Sequence, residues 1–161
     1  MTRRRMSSSM VVAGFVLAMA DIQVIAQTAD PLAGTWVLNT AKSKYASTPA
    51  PKSETRSYTI VGQELKATSK GTDAAGKPTS GEWTVNYDGK DQPTTGDPNV
   101  DALSFNRIDT HSGEFTQKKA GTVVATGTRV ISKDGKTMTI TTKGTNAKGQ
   151  PYLDVEVFDK R

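Results

Sequence analysis

The stretch TVVATGTRVISKDGKTMTITTKG, residues 122–144, decides the fold of this chain. Two segments within it, Thr122–Ser132 and Thr137–Gly144, alternate apolar or β-branched residues with polar ones at a period of two. That period is typical of a β-strand with one buried face. Between the segments lie Asp134 and Gly135, a pair that tolerates the positive φ angles of a tight turn. The stretch therefore predicts an antiparallel hairpin.

Similar runs fill the chain on both sides of this hairpin, and turns rich in Gly, Asn and Asp separate them. No stretch keeps a helical period, so any helix is short, and we expect it at Thr40–Lys44. The chain is therefore predicted to be all-β. The further predicted strands are Thr35–Asn39, Glu54–Val61, Glu64–Gly71, Gly81–Tyr87, Ala102–Asp109, Glu114–Lys119 and Tyr152–Phe158.

The sequence also repeats itself. Residues 55–78 align without gaps onto residues 128–151, at a constant offset of 73 residues and with about ten identical positions. The similarity indicates either convergence on the same hairpin chemistry or two similar meanders of one sheet. A sheet of many sequential antiparallel strands tends to curl and close, because closure removes its unpaired edges. We therefore expect an antiparallel up-and-down barrel of about 8–10 strands.

The composition excludes several kinds of site. The 161 residues include no cysteine, so disulfides, thiolate metal sites and cysteine nucleophiles are excluded. The net charge of +5 includes the arginines of residues 3–5, and the lysines of the remainder stand mostly singly along strands and turns. Nucleic-acid binders gather positive charge on one face and interleave aromatic residues. The sequence therefore indicates no nucleic-acid partner.

The N-terminus has the features of a signal peptide. The arginines of residues 3–5 precede an apolar stretch at residues 10–19, and Ala26 offers a cleavage site. A membrane anchor is the alternative, but the apolar run is shorter than the ~20 residues that a helical span needs. We predict a signal peptide over residues 1–26 and one barrel domain over residues 27–161. The domain would then be periplasmic or secreted, with no membrane span after cleavage.

Three segments carry a resemblance to a known family. The Gly34-x-Trp36 pattern at the first strand resembles the opening motif of lipocalins and related calycin barrels. Residues 34–45 (GTWVLNTAKSKY), 49–53 (PAPKS) and 87–96 (YDGKDQPTTG) are together similar to a group of small bacterial secreted lipocalin-like proteins without an assigned activity.

The resemblance implies a barrel, export and structural roles for three residues. In lipocalins the motif tryptophan packs at the closed end of the barrel under an arginine from a late strand. By that resemblance Gly34 and Trp36 are structural, and Arg129 or Arg107 would supply the arginine over the indole.

Side chains that carry most enzyme chemistry are scarce. His111 is the single histidine, and its polar neighbours lie on the same predicted turn. A catalytic triad needs groups that converge from different elements, and a zinc site needs three or four ligands. Asp88, Asp91 and Asp97 lack the spacing of a calcium loop, so we interpret them as turn residues. The sequence predicts no catalytic residue, no metal site, no cofactor and no enzyme activity.

Aromatic side chains give the clearest binding hypothesis. Tyr58, Trp83, Tyr87 and Phe105 lie on strand faces that would point into a barrel. There they either fill a core or line a small apolar pocket. The first hypothesis is non-covalent binding of a small apolar ligand by a monomeric barrel. The alternative is a filled barrel that acts through its surface, in envelope assembly or as an inhibitor; an enzyme at the barrel mouth is less favoured.

Overall fold

The structure, a computed structural model, describes residues 30–46, 49–146 and 148–161, so the predicted signal peptide lies outside it. The described residues form β-strands and no helix, and hence no helix that could cross a membrane. The strands are β1 (Gly34–Leu38), β2 (Ser53–Val61), β3 (Glu64–Thr72), β4 (Pro78–Asn86), β5 (Gln92–Thr95), β6 (Ala102–Arg107), β7 (Ser112–Lys119), β8 (Thr122–Ile131), β9 (Thr137–Thr145) and β10 (Pro151–Lys160).

The ten strands form one antiparallel sheet that closes on itself. Strands β2 to β10 pair in chain order, and β1 pairs with both β2 and β10. Trp36 of β1 is thus opposite Arg56 on one side and Lys160 on the other. The predicted all-β, up-and-down barrel is confirmed, and a strand is found at each of the nine predicted positions.

The sequence repeat corresponds to two meanders that flank β1. Strands β3 and β9 are related by the offset of 73 residues, and each is the middle strand of its meander. In the β8–β9 hairpin Ile131 pairs with Met138, and the Ser132 amide donates to the Thr137 carbonyl at 2.8 Å. Gly135 has a φ of +68° in this turn. The two copies are therefore similar meanders of one sheet.

The short helix predicted at Thr40–Lys44 is a turn. The amide of Ser43 donates to the carbonyl of Asn39 at 3.1 Å, which closes one helical turn. The chain then returns to the sheet, where Lys44 bridges to Val155. This prediction was wrong because pairing with β10 competes successfully with further helical turns.

Strand β5 was not predicted from the sequence. Its four residues are Gln, Pro, Thr and Thr, which show no apolar alternation. It pairs with β4 only at Glu82 and Trp83, and with β6 only at Ala102 and Leu103. The strand exists because its neighbours hold it in place and not because of its own pattern.

One end of the barrel, here called the closed end, is filled by apolar side chains. Trp36 is fully buried there, and Leu32 packs beside it from the N-terminal segment with 1% of its surface exposed. The indole Nε1 of Trp36 donates to the Leu32 carbonyl at 2.8 Å, which fastens this segment to β1. The opposite end, the open end, carries the turns at residues 73–77 and 96–101.

The cation over Trp36 is Lys160. Its Nζ lies 5.0 Å from the ring centroid and donates to the Pro31 carbonyl at 2.7 Å. Lys160 takes this place because it is the cross-strand neighbour of Trp36. Gly34 opens β1 with a φ of +122°, and the Lys160 side chain passes 3.2 Å from where a Cβ of residue 34 would lie.

The two arginines considered for that position lie elsewhere. Arg129 belongs to β8, which β9 and β10 separate from β1, so its side chain stacks on Phe105 at 4.4 Å instead. Arg107 forms an ion pair with Asp30 and lies over the ring of Tyr87 at 4.3 Å. Neither arginine therefore lies over the indole of Trp36 in the described structure, where Lys160 is the cation found.

We predict that Leu32→Ala lowers the free energy of unfolding by about 2–5 kcal/mol, because it leaves a cavity under Trp36. Leu153→Ala is the matched control, since Leu153 is 54% exposed and the same truncation should cost about 0.5 kcal/mol or less. Urea denaturation of both variants measures the difference. Equal losses would contradict the packing of residues 30–33 into the closed end.

Candidate functional site

The half of the barrel towards the open end contains a cavity of about 300 Å³. It reaches an exposed rim formed by Ser80, Thr95 and Asp97, so the interior communicates with solvent. Its apolar wall comprises Tyr58, Trp83, Val100, Leu103, Phe105, Phe115 and Ile140. Its polar wall includes Glu54, Arg56, Ser69, Gln117, Arg129, Thr142 and Glu156.

Three of the four aromatic residues proposed to bind a ligand line this cavity. Tyr58 and Trp83 meet edge to face, with ring centroids 6.3 Å apart and planes at 77°. On another part of the wall, Phe105 packs against Phe115 with centroids 5.7 Å apart. Strand alternation turns these side chains inwards, because each occupies the same face of its strand as the buried core.

The fourth residue, Tyr87, does not line the cavity. It follows β4 towards the closed end and packs edge to face on Phe105, with centroids 5.8 Å apart. Its hydroxyl accepts a hydrogen bond from Nη2 of Arg129 at 2.8 Å. Tyr87 therefore lies outside the cavity but holds Arg129, which lines it, by a hydrogen bond.

A half-buried ion network forms one side of the cavity. Nε of Arg56 lies 2.7 Å from Glu54, and its Nη2 lies 3.1 Å from Glu156. The guanidinium also stacks on Phe158, 4.7 Å from the ring centroid. Burial alone would lower the pKa of Arg56, but the two carboxylates raise that pKa well above its usual value. Two carboxylates on one guanidinium leave this network with a net negative charge.

Tyr45 extends the network from the loop after β1. Its hydroxyl donates to Oε1 of Glu156 at 3.2 Å. Burial, reinforced by the charge of Glu156, raises the pKa of the Tyr45 hydroxyl far above its usual value. The hydrogen bond holds Glu156 in place against the side of the barrel.

Arg129 is the second arginine of the cavity wall and is only 5% exposed. Its guanidinium lies 4.4 Å from the centroid of Phe105 and 5.7 Å from that of Tyr58. Within the described part of the chain it forms no ion pair with a carboxylate. The cavity thus combines aromatic surface with a buried positive charge.

The charged residues of the cavity were not predicted from the sequence, although a signal for them exists. Glu54, Arg56 and Tyr58 alternate along β2 and therefore share a face. Arg56 and Arg129 also occupy equivalent positions of the repeat. Their joint position on an inward face could have been inferred from these two observations.

The remaining candidates for chemistry lie outside the cavity. His111 lies in the β6–β7 turn at the closed end, where its amide donates to Asp109 at 2.7 Å. Asp88 and Asp97 accept hydrogen bonds from nearby turn amides, as predicted, while Asp91 pairs with Lys118 at 2.7 Å. The described residues contain no cluster of His, Cys, Asp and Glu that could hold a metal ion.

We predict that Tyr45→Phe lowers the unfolding free energy by about 1 kcal/mol near neutral pH, because Glu156 loses a hydrogen bond. Because folding raises the pKa of Tyr45, its protonated hydroxyl stabilises the folded protein at pH values below about 10, the ordinary tyrosine pKa. This stabilisation is lost as the pH rises above that value. The deficit of the variant should therefore shrink between about pH 9 and pH 11. Chemical denaturation over this range measures it, and the titrations shared by both proteins cancel in the difference. A deficit that stays constant would contradict the pKa shift.

Comparisons with known proteins bear on the fold. No family model matches the chain, and no curated protein matches it. The zebrafish ileal bile acid-binding protein complexed with cholic acid is 12% identical over 81% of this chain and 99% of its own, with a TM-score of 0.49. The structure of Rv2717c from M. tuberculosis is 16% identical over 81% of this chain and 94% of its own, with a TM-score of 0.50. At such identity the likeness to Rv2717c is one of fold alone.

Proposed function

We propose that this protein binds a small, largely apolar molecule non-covalently inside the barrel. The observation that carries the proposal is the cavity of about 300 Å³ with aromatic walls and an exposed rim. Ligand sites in proteins are concave, mostly apolar and usually about 300–1,000 Å³ in volume. The cavity is at the lower limit of that range and suits a ligand of two or three fused or linked rings, or a short acyl chain.

Affinity in such a site comes from the removal of apolar surface from water, at about 25 cal/mol per Å². Tyr58, Trp83 and Phe105 supply flat surfaces for that contact. Their rings pack against one another and against the core, so little conformational freedom is left to lose when a ligand enters. The site is therefore largely formed before a ligand binds.

The proposal is for binding without catalysis. Arg56, Glu54 and Glu156 are engaged with one another, and the hydroxyl of Tyr45, whose pKa is raised, donates to Glu156. Groups paired in this way are poor proton donors and acceptors for a reaction near neutral pH. A filled barrel that acts only through its surface is less favoured, because the cavity is present.

The proposed location is outside the cytoplasm, on the strength of the basic and apolar segments of residues 1–26. There the protein would act as a carrier or sink that holds a poorly soluble molecule in an aqueous compartment. Barrel closure suits this role, because the fold holds without disulfides or an exposed sheet edge.

We predict that the purified protein binds N-phenyl-1-naphthylamine, a neutral aromatic dye, saturably and with one site. Ser69→Phe should abolish this binding, because Ser69 faces the cavity and the added ring fills it. The fluorescence of the dye on titration measures both proteins.

Thr68→Phe is the matched control, since Thr68 is the adjacent residue of β3 and points to solvent. It should bind the dye as the unmodified protein does. Absence of binding to the unmodified protein, or equal binding by both variants, would refute the proposed interior site.

A further inference from the structure

The repeat places two arginines at equivalent positions of the barrel wall. Arg56 in β2 and Arg129 in β8 are separated by the repeat offset of 73 residues, and both line the cavity. Each stacks on a phenylalanine ring, at 4.7 Å from Phe158 for Arg56 and at 4.4 Å from Phe105 for Arg129. The two side chains thus share a position and a mode of packing.

Their charge environments differ completely. Arg56 is held by Glu54 and Glu156, which together overcompensate its charge. Arg129 donates one hydrogen bond, to the neutral hydroxyl of Tyr87, and its other N–H groups have no acceptor among the described side chains. A buried guanidinium without a counterion is costly, since its desolvation is not offset.

The repeat explains why Arg129 lacks a counterion on its own strand. At the repeat offset of 73 residues, Gly127 of β8 takes the place that Glu54 has in β2, two residues before the arginine. A Cβ at Gly127 would collide with the Thr141 carbonyl oxygen and the ring of Phe115, so no carboxylate fits there. The carboxylate that Glu54 supplies to Arg56 therefore has no counterpart beside Arg129.

We propose that the ligand itself supplies the missing charge: the bound molecule is an amphipathic organic anion whose acidic group binds Arg129. This inference rests on the proposed interior site and specifies its ligand class, a carboxylate or sulfonate attached to an apolar body. Charge-assisted hydrogen bonds to a guanidinium are about twice as strong as neutral ones, and the low dielectric of the interior strengthens them further.

The ion network opposite fixes the orientation of the ligand. Glu54 and Glu156 leave that side of the cavity negative, so it repels an anionic group. The acidic group is therefore directed to Arg129, which packs on Phe105, and the apolar body lies against Trp83 towards the rim. Among the described residues Arg56 has two carboxylate partners and Arg129 has none, so the cavity selects a single orientation of the ligand.

A matched pair of dyes tests the inference. 8-Anilinonaphthalene-1-sulfonate and N-phenyl-1-naphthylamine share one aromatic body and differ in the sulfonate. In Arg129→Met the sulfonate dye should lose at least about tenfold in affinity, while the affinity for the neutral dye changes by less than about threefold. Lys133→Met removes an exposed positive charge at the closed end and should leave the affinity for both dyes unchanged.

The outcomes separate this inference from the proposed function. If the neutral dye binds but Arg129→Met affects both dyes equally or neither, the anionic ligand is refuted and the interior site stands. If neither dye binds the unmodified protein, the proposed function itself fails.

Should Arg129→Met fail to fold, side-chain NMR of the unmodified protein replaces it. On addition of the sulfonate dye the Hε signal of Arg129 should shift and that of Arg56 should stay, with Arg129→Lys used to assign the signal. The neutral dye should cause a clearly smaller shift of the Arg129 signal. An unmoved Arg129 signal at saturation with the sulfonate dye would overturn the inference.

Discussion

The pairing of β1 with both β2 and β10 is the interaction on which the rest of this structure depends. It joins the first meander of the repeat to the second and removes the two edges that an open sheet would expose. Once the sheet is closed, the alternation along each strand separates an inside from an outside. Each inward side chain must then pack against other side chains, form a hydrogen bond or ion pair, or line a cavity.

The two halves of the barrel meet this requirement in different ways. At the closed end, large side chains such as Trp36 and Leu32 fill the interior, and the N-terminal segment covers it. Towards the open end, the paired positions Ser69 and Gly81 bring little volume. The charged side chain of Arg56 is drawn to the wall by its carboxylate partners. The cavity is the space that these residues leave.

The fold could be predicted from the sequence because its strands alternate clearly and its turns contain the expected residues. Strand β5 could not, since its Gln-Pro-Thr-Thr sequence shows no alternation and the strand depends on its neighbours. For the site, alternation gives the face of a side chain but not its height along the barrel axis. This is why Tyr58, Trp83 and Phe105 line the cavity. Tyr87 follows the same alternation but lies nearer the closed end, outside the cavity.

The ion network was beyond prediction for a different reason. Arg56 and Glu156 are 100 residues apart and meet only when closure brings the two meanders together across β1. Their contact depends on the register of pairs that no local pattern specifies. The repeat nevertheless marked Arg56 and Arg129 as equivalent, and this equivalence makes the different surroundings of the two arginines informative.

The brevity of β5 has a kinetic consequence. Its ladders to β4 and β6 each span only two residue positions, whereas β3 pairs with β4 from Glu64 to Thr72. Local opening of a protein begins where the fewest backbone hydrogen bonds must break. The barrel therefore has a seam beside the cavity that can part while the long ladders stay intact. Under the proposed function, parting of this seam would widen the exit that the rim already offers, and so would shorten the residence time of a bound molecule.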